Sequence, residues 1–595
     1  MCGIAGIFKR NSVAVDADVL DRLEQALHHR GPDSVGRFVR GPIAFVHTRL
    51  AIIDLESGQQ PIHGQKGATL IANAEIYNAP EIKAGLVGHH FETNSDCEPP
   101  VQLFEEIGVD YVTSLRGMYA IAICSKDQDR IQISRDQFGI KPLYYVENDK
   151  GFAFASEPQA LVAAGLVTGA ITTTRRDELL QLKFTVGADT IFEGIKRVLP
   201  GETLIVEDGR IVSRSRIPAV SPPKPAPAVR SATESELLAR FEAVMVDSVA
   251  AHLQSDVPVG LFLSGGIDSS ILLLLIKRIA HERILSITVG YDDDQHHSSV
   301  DETTAAQAFA KRHDVECERI HMGPEDFWTL GPRIASAIDD PTADAAVLPT
   351  FMLGMAAAKL GRKVILCGEG ADELFGGYRR YRPRLFGRFR RDRSLRRGVF
   401  TKTSAGAGLD DHWKTELANV IAGERSRWGS TVEAAQAIDM AEWLPNDLLV
   451  KLDRCLMVHG IEGRTPYLDR EVAAFAAQVP LSSRIQGDLG KVLMRRWLGA
   501  ADPAYPAFAK KKGFNVPVGQ WIADRAPVLS DLVARQQCMQ TWITRSAVDE
   551  IFANAGKESQ PAWSLLFYTL WYGHHVLKVD PNQPMDEFLR TALDQ

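Results

Sequence analysis

Val259-Gly-Leu-Phe-Leu-Ser-Gly-Gly-Ile-Asp-Ser-Ser270 joins an apolar run to a loop of two glycines, three serines and one acid. Residues 259–263 read as a buried strand and 269–280 as the helix that follows. Glycines let main chain approach an anion closely, and free N–H groups at a helix start bind phosphate, with the dipole adding to the attraction. Ser264, Ser269 and Ser270 supply hydroxyl donors around Gly265 and Gly266. Asp268 would repel phosphate unless a bridging Mg²⁺ lay between them. A glycine-rich turn with serine N-caps is the plainer reading. The crowding of these groups into seven residues favours a phosphate loop. No Gly-x₄-Gly-Lys-[Ser/Thr] occurs, so the loop is not a Walker A loop. The nearest approach to a dinucleotide fingerprint, Gly368-Glu-Gly-Ala-Asp-Glu, has Glu373 in the third glycine's place.

Working outward, strands at 284–289, 315–320 and 363–367 alternate with a helix at 301–313. Such alternation predicts a parallel sheet with right-handed crossovers. Beyond Asp372 the pattern becomes largely helical. The last strand enters Cys367-Gly-Glu-Gly-Ala-Asp-Glu-Leu-Phe-Gly-Gly-Tyr378, with acids at Glu369, Asp372 and Glu373. Parallel strands end on one rim, where ligands bind. Asp268 and Asp372 could therefore share a metal.

Upstream, residues 218–228 hold five prolines, a stretch that favours an extended spacer. The expected division is 2–215, a linker at 216–230, and 231–595. The first part has short strand candidates at 3–8, 43–46, 50–53, 69–72, 118–124, 130–134 and 151–155. Helices near 16–29 and 99–107 interrupt them, predicting a layered α+β domain.

At the chain start, loss of Met1 would make Cys2 the first residue, its thiol beside an α-amine able to act as base. Arg49 suits a bidentate carboxylate. Asn73 and the Ala74 N–H, placed after the strand at 69–72, make a plausible oxyanion hole. Asp96 could hold an ammonium. A carboxylate clamp, an ammonium clamp and a thiol together suggest glutamine as a substrate.

Composition is that of an ordinary globular protein: 595 residues, 45% hydrophobic, 24% charged, with 67 basic and 75 acidic residues for a net charge of −8. No global field draws it to nucleic acid or anionic lipid, and no apolar run is long enough to span a membrane. Seven cysteines without a Cys-x-x-Cys pair, and a start lacking a secretory pattern, predict reduced thiols and a cytoplasmic protein.

The sequence resembles the glutamine-hydrolysing asparagine synthetases, class II glutamine amidotransferases. In the first domain the likeness rests on Cys2-Gly3-Ile4-Ala5-Gly6, His29-Arg30-Gly31-Pro32-Asp33, Arg49-Leu50-Ala51-Ile52-Ile53-Asp54, Ser95-Asp96 and Phe138-Gly139-Ile140-Lys141-Pro142. In the second it rests on the two loops above, Lys451-Leu452-Asp453-Arg454, Arg464-Thr465-Pro466-Tyr467-Leu468-Asp469, Gly490-Lys491 and Lys512-Gly513-Phe514. The resemblance implies an αββα N-terminal-nucleophile glutaminase domain, then an α/β parallel-sheet ATP-pyrophosphatase domain with a helical C-terminal part. It implies ATP and Mg²⁺ as cofactors, β-aspartyl-AMP as intermediate, and passage of ammonia between the domains. By position, Cys2 becomes the nucleophile, with Asn73 and Ala74 as oxyanion donors. Arg49, Leu50, Ile53, Asn73, Glu75 and Asp96 bind glutamine. Leu263, Ser264, Gly265, Gly266, Asp268, Ser269, Ser270, Val289, Cys367 and Gly368 bind ATP and pyrophosphate. Asp268 and Asp372 hold Mg²⁺, Glu369 serves acyl-adenylate formation and Lys491 the α-phosphate. A homodimer is expected by family analogy. The same chemistry on another carboxylate, in a cell wall, polysaccharide or peptide, is the alternative.

Three departures stand out. Ala74 replaces the family's glycine; it keeps the N–H, but its Cβ disfavours φ > 0, so hydrolysis is expected to survive at a slower rate. Cys367 stands where serine is common. Cys97 replaces threonine, with Pro99-Pro100 after it. A run of ten arginines and one acid from 379 to 397 looks basic enough for nucleic acid, but without an accompanying motif it reads as a solvated face.

Overall fold

The computed structural model describes residues 2–126, 129–222, 232–280, 284–291, 302–382, 397–428, 430–509 and 516–595. The prolines at 223, 225 and 227, most of the arginine run, and Lys512-Gly513-Phe514 lie outside them.

Two six-stranded antiparallel sheets form the first half. One contains β1 (Gly3–Lys9), β2 (Ser34–Arg40), β3 (Ile43–Arg49), β8 (Tyr144–Asn148), β9 (Gly151–Ala155) and β10 (Lys196–Arg197), in the order β10-β8-β9-β1-β3-β2. The other contains β4 (Ile62–His63), β5 (Thr69–Ile76), β6 (Gly117–Cys124), β7 (Arg130–Arg135), β11 (Glu202–Glu207) and β12 (Arg210–Arg216), in the order β12-β11-β7-β6-β5-β4. Strand alternation explains the layering. Ile4 and Phe8 of β1 face the opposing sheet, meeting Ile71, Ala120 and Ile133. Ala5 and Ile7 face the helix Ala17–Leu27 through Leu20, Leu23 and Leu27. On the far side, Ile121 and Ile123 pack under Ile82 and Val101 of the helices Ala79–Gly85 and Glu98–Ile107. The result is the expected αββα sandwich. Pro99 and Pro100 sit in the first turn of their helix, where a missing N–H costs nothing.

The second half is built on a parallel sheet: β13 (Val259–Phe262), β14 (Leu285–Tyr291), β15 (Glu316–Met322), β16 (Val364–Leu366) and β17 (Glu462–Arg464). Its order, β15-β14-β13-β16-β17, reverses direction between β13 and β16. Helices surround it, and a long helical part follows, including the buried Ser559–His575.

Four local expectations change. Residues 50–53 form a loop, not a strand; the Arg49 Nη2 donates to the carbonyls of Ile53 at 3.2 Å and Asp54 at 2.5 Å and curls the chain back. Asn73, Ala74 and Glu75 lie inside β5, which runs on to Ile76 because β6 pairs with it throughout. The helix after the Ser264–Gly265–Gly266 loop starts at Ile267, with Gly266 as N-cap, so Ser269 and Ser270 belong to its first turn. The mostly helical stretch beyond Asp372 contains β17, a three-residue edge strand whose short length left no alternation to read.

The halves meet across buried charges. Arg30 gives two bonds to Asp453, at 2.7 and 2.9 Å, and one to Glu157 at 2.7 Å. Arg454 meets Asp453 and Asp339, both at 2.6 Å. Arg197 grips Asp340 at 2.6 and 2.8 Å. Against the upward push of burial, Arg30 and Arg454 hold Asp453 below its ordinary value. Removing one partner of a buried ion pair costs more than the pair itself contributes. Asp453→Ala, which takes one carboxylate partner from each of two buried guanidinium groups and leaves Arg30 on Glu157 and Arg454 on Asp339, is expected to destabilise the protein by about 3 kcal/mol. Chemical denaturation would reveal it as a lower midpoint, and an unchanged midpoint would show that Asp453 does not hold the halves together.

Candidate active site

The first cluster lies at the end of β1. The Cys2 N–H donates to Asn73 Oδ1 at 3.0 Å. Asn73 is fully buried and its Nδ2 has no hydrogen-bond partner, so that amide end is available as a donor. Burial pushes the Cys2 thiol up, while the chain-terminal amine, the Leu50 N–H and Arg49 pull it down. Arg30 reaches the Cys2 carbonyl through Nε at 3.3 Å.

Alternation along β5 arranges the rest. The N–H of Ala72 points away from β6 and meets Gln60 Oε1 at 2.6 Å. The N–H of Ile76 donates to Asp96 Oδ2 at 2.6 Å. Ala74 lies midway and therefore turns its N–H to the same side. Ala74 is not among the residues with positive φ. The expected penalty for replacing glycine is thus absent, because an extended strand accepts any L-residue.

Glu75 is buried at 5% exposure and ends on Arg464 Nη2 at 2.9 Å. Burial raises its carboxyl well above the usual range, with Arg464 opposing and Glu462 and Asp96 reinforcing the rise. Arg464 also donates to Glu462 at 2.6 Å and to the carbonyls of His252 and Gln254 at 2.9 and 2.6 Å. Leu50 and Ile53 flank Arg49 on the loop beside this cluster, and the Ala51 N–H is fixed by Asp33 at 2.8 Å.

The second cluster occupies the rim at the reversal between β13 and β16, where parallel sheets bind ligands. Gly265 adopts φ +70°, a conformation open to glycine, and its carbonyl accepts from Tyr505 at 2.8 Å. Ser269 Oγ lies 3.1 Å from Ser264 Oγ and accepts from the Ser264 N–H at 3.2 Å. Ser270 Oγ is buried without a hydrogen-bond partner. Gly368 leaves room against the Asp268 side chain, 3.1 Å from where a Cβ would stand. Lys491, at φ +56°, reaches Asp268 at 2.7 Å and Asp372 at 2.8 Å. Any side chain at Gly377 would collide with Asp372 Oδ1 at 1.7 Å, so that glycine makes the approach of Asp372 and Lys491 possible. Glu369 has a buried Oε2 without a hydrogen-bond partner, and burial raises its carboxyl despite Lys451. The Cys367 N–H donates to the Arg464 carbonyl at 2.8 Å. Leu263 continues β13, its N–H on the Ile287 carbonyl at 2.9 Å, and Val289 lies on β14 next along the rim.

Two residue sets named from sequence thus come together around separate centres. Arg464, Gln60, Arg30 and Tyr505 were not singled out as site residues from their chemistry. Arg464 and Arg30 lie in quoted motifs, which was their only signal; Gln60, through two bonds to Ala72, and Tyr505, through one to Gly265, leave no local pattern.

Residues 240–573 match the asparagine synthase family, and residues 1–216 match a glutamine amidotransferase domain. The chain belongs to the asparagine synthase family. Among relatives in that family, an asparagine synthetase [glutamine-hydrolyzing] of Bacillus subtilis is 29% identical over 97% of each chain. Asparagine synthetase B [glutamine-hydrolyzing] of Escherichia coli is 27% identical, over 90% of this chain and 86% of its own. Amidase chry2 of Gibberella zeae is 31% identical over 64% of this chain and 60% of its own. As an asparagine synthase family member, the protein is a glutamine-dependent carbon–nitrogen ligase with an ATP-using synthetase domain. Among the described residues no helix is long and apolar enough to cross a membrane.

Burial pushes Asp96 up to about 6. A folded-state pKa above the unfolded value means stability is greatest at low pH and falls as pH rises through about 4 to 6, by about 2–3 kcal/mol. Asp96→Asn is expected to abolish that slope and to stabilise the protein at neutral pH only. Urea midpoints of both proteins at acid and neutral pH would check it; parallel curves would contradict it.

Proposed function

We propose that the protein amidates L-aspartate to L-asparagine, drawing nitrogen from glutamine and driving the step with ATP through β-aspartyl-AMP. One observation carries this reading. The Arg464 side chain ends on Glu75 in the first cluster while its carbonyl accepts from Cys367 in the second. Two centres of different chemistry are thereby joined through one residue.

In the first, the sulfur of Cys2 attacks the amide carbon of glutamine. The α-amine of Cys2, exposed once Met1 is removed, takes the thiol proton and passes it to departing ammonia. Asn73 Nδ2 and the Ala74 N–H receive the oxyanion. Arg49, with Leu50 and Ile53 beside it, holds the α-carboxylate, and Glu75 and Asp96 hold the ammonium. Water then releases glutamate from the thioester.

In the second, Ser264, Gly265, Gly266, Ser269 and Ser270 cradle the pyrophosphate end of ATP, and Leu263, Val289, Cys367 and Gly368 border its nucleoside. A β-carboxylate oxygen of aspartate attacks the α-phosphorus and pyrophosphate leaves. Lys491 balances charge on the α-phosphate, and Glu369 serves acyl-adenylate formation. Ammonia arriving along the seam between the halves attacks the acyl carbon and AMP departs.

A divalent cation fits Asp268 and Asp372, since both carboxylates already converge on one positive group, the Lys491 ammonium. When bound, Mg²⁺ supplies neutralisation of pyrophosphate charge. The remaining oxygen ligands would come from phosphate and water, because no group of three or more His, Cys, Asp or Glu suited to a metal occurs among the described residues.

A second reading keeps the chemistry and changes the acceptor, a possibility favoured by the amidase among the relatives.

Cys2→Ala is expected to end glutamine use while ammonia-dependent synthesis continues; joint loss of both would refute the division into two centres. Incubation with glutamine, ATP, Mg²⁺ and a panel of carboxylic acids should release AMP with aspartate. AMP release with another acid alone would favour the second reading, and ADP release would refute adenylation.

A further inference from the structure

β4 pairs with β5 at two positions, Ile62 with Leu70 and His63 with Thr69. Continued by two residues, that register would set Gln60 opposite Ala72. The main chain of Gln60 does not take that place. It turns toward β2, where a Cβ on Gly36 would stand 1.8 Å from the Gln60 carbonyl oxygen. Pro61, next in the chain, has no N–H to give a ladder.

The Gln60 side chain occupies the vacated ladder position instead. Its Oε1 accepts the Ala72 N–H at 2.6 Å and its Nε2 donates to the Ala72 carbonyl at 3.2 Å. A primary amide carries one donor group and one acceptor in the arrangement of a peptide, so it can close both bonds of a strand residue. The side chain is 7% exposed, where lost bonds would not be replaced by water. His47 Nε2 lies 3.2 Å from the same carbonyl. Burial takes His47 down to about 3, so its ring is neutral and can donate one N–H there.

We propose that Gln60 is a positioning residue for glutamine hydrolysis: its amide stands in for the missing end of β4 and fixes the aim of Asn73 and Ala74. This inference rests on the reading of those two residues as oxyanion donors. The physical reason is the short distance along one strand. Asn73 follows Ala72 directly, and Asn73 Oδ1 is already committed to the Cys2 N–H, so a rotation of the Ala72 peptide would carry Nδ2 and the Ala74 N–H away together. Oxyanion donors act over a narrow range of distance, and a shift of about 1 Å can cost about a hundredfold in rate. Of the substrate-holding groups, Arg49 and Asp96 stand on other segments, and Glu75, which shares β5, is anchored separately by Arg464 at 2.9 Å, so they would not follow.

The test is Gln60→Met, which keeps length and apolar volume but removes both bonds. Glutaminase kcat is expected to fall at least about tenfold, as for a displaced oxyanion donor, while the KM for glutamine changes little. Stoichiometric labelling of Cys2 by a diazoketone analogue of glutamine should persist, as should ammonia-dependent synthesis. Gln60→Glu, which retains an acceptor for the Ala72 N–H, should be intermediate, and supplies the measurement if the methionine variant does not fold. An unchanged kcat in both variants, or loss of labelling and a raised KM together with kcat, would overturn the proposal. Asn73→Ala is measured alongside. If it leaves kcat unaltered, the oxyanion reading itself fails. If it collapses kcat while the Gln60 variants behave as wild type, only the positioning role falls.

Discussion

Charge burial at the seam constrains everything else in this molecule. Arg30, Arg197, Arg454 and Arg464 are each nearly inaccessible to water, and each ends on carboxylates. Arg30, Arg197 and Arg464 reach from one half to carboxylates of the other. Ions taken out of water need several well-placed partners to offset their desolvation. Guanidinium groups meet that need with several donors in a fixed plane. The seam therefore specifies one relative placement of the halves, where an apolar interface would tolerate sliding.

Two geometrical rules then aim the chemistry. In the parallel sheet, the reversal between β13 and β16 opens a crevice, and both acid-bearing loops emerge there. In the antiparallel sheet, alternation along β5 turns Ala72, Ala74 and Ile76 toward the same edge, so three successive needs are met by one strand. Glycines appear where close approach demands them: Gly368 against Asp268, and Gly377 between Asp372 and Lys491.

Much of this was legible in the sequence. Apolar runs ending in Gly, Ser and Asp marked the strands and loops of the second sheet, since strand period and turn chemistry are local properties. The αββα arrangement entered through the family resemblance, because short strands alone do not dictate which sheet they join. The rule that parallel strands end together put Asp268 and Asp372 on one rim, where both meet Lys491. Other features were hidden for definite reasons. β17 has three residues, too few for a period. Residues 50–53 look like a strand by composition, and only the Arg49 bonds to Ile53 and Asp54 fold them into a loop. Gln60 resembles any polar loop residue until the truncation of β4 is seen.

The extended backbone at Ala74 carries a wider implication. An N–H on a flexible glycine turn depends on that turn's own preferences, whereas here its direction, away from β6, is set by alternation along a strand that β6 pairs throughout. Residue 74 is then free to vary in side chain without disturbing the hydrogen-bond geometry. The Ala74 side chain packs under the helix layer with Ile76, Ile82 and Val101, on the face opposite Asn73, so change there is felt by the core while the N–H keeps its aim.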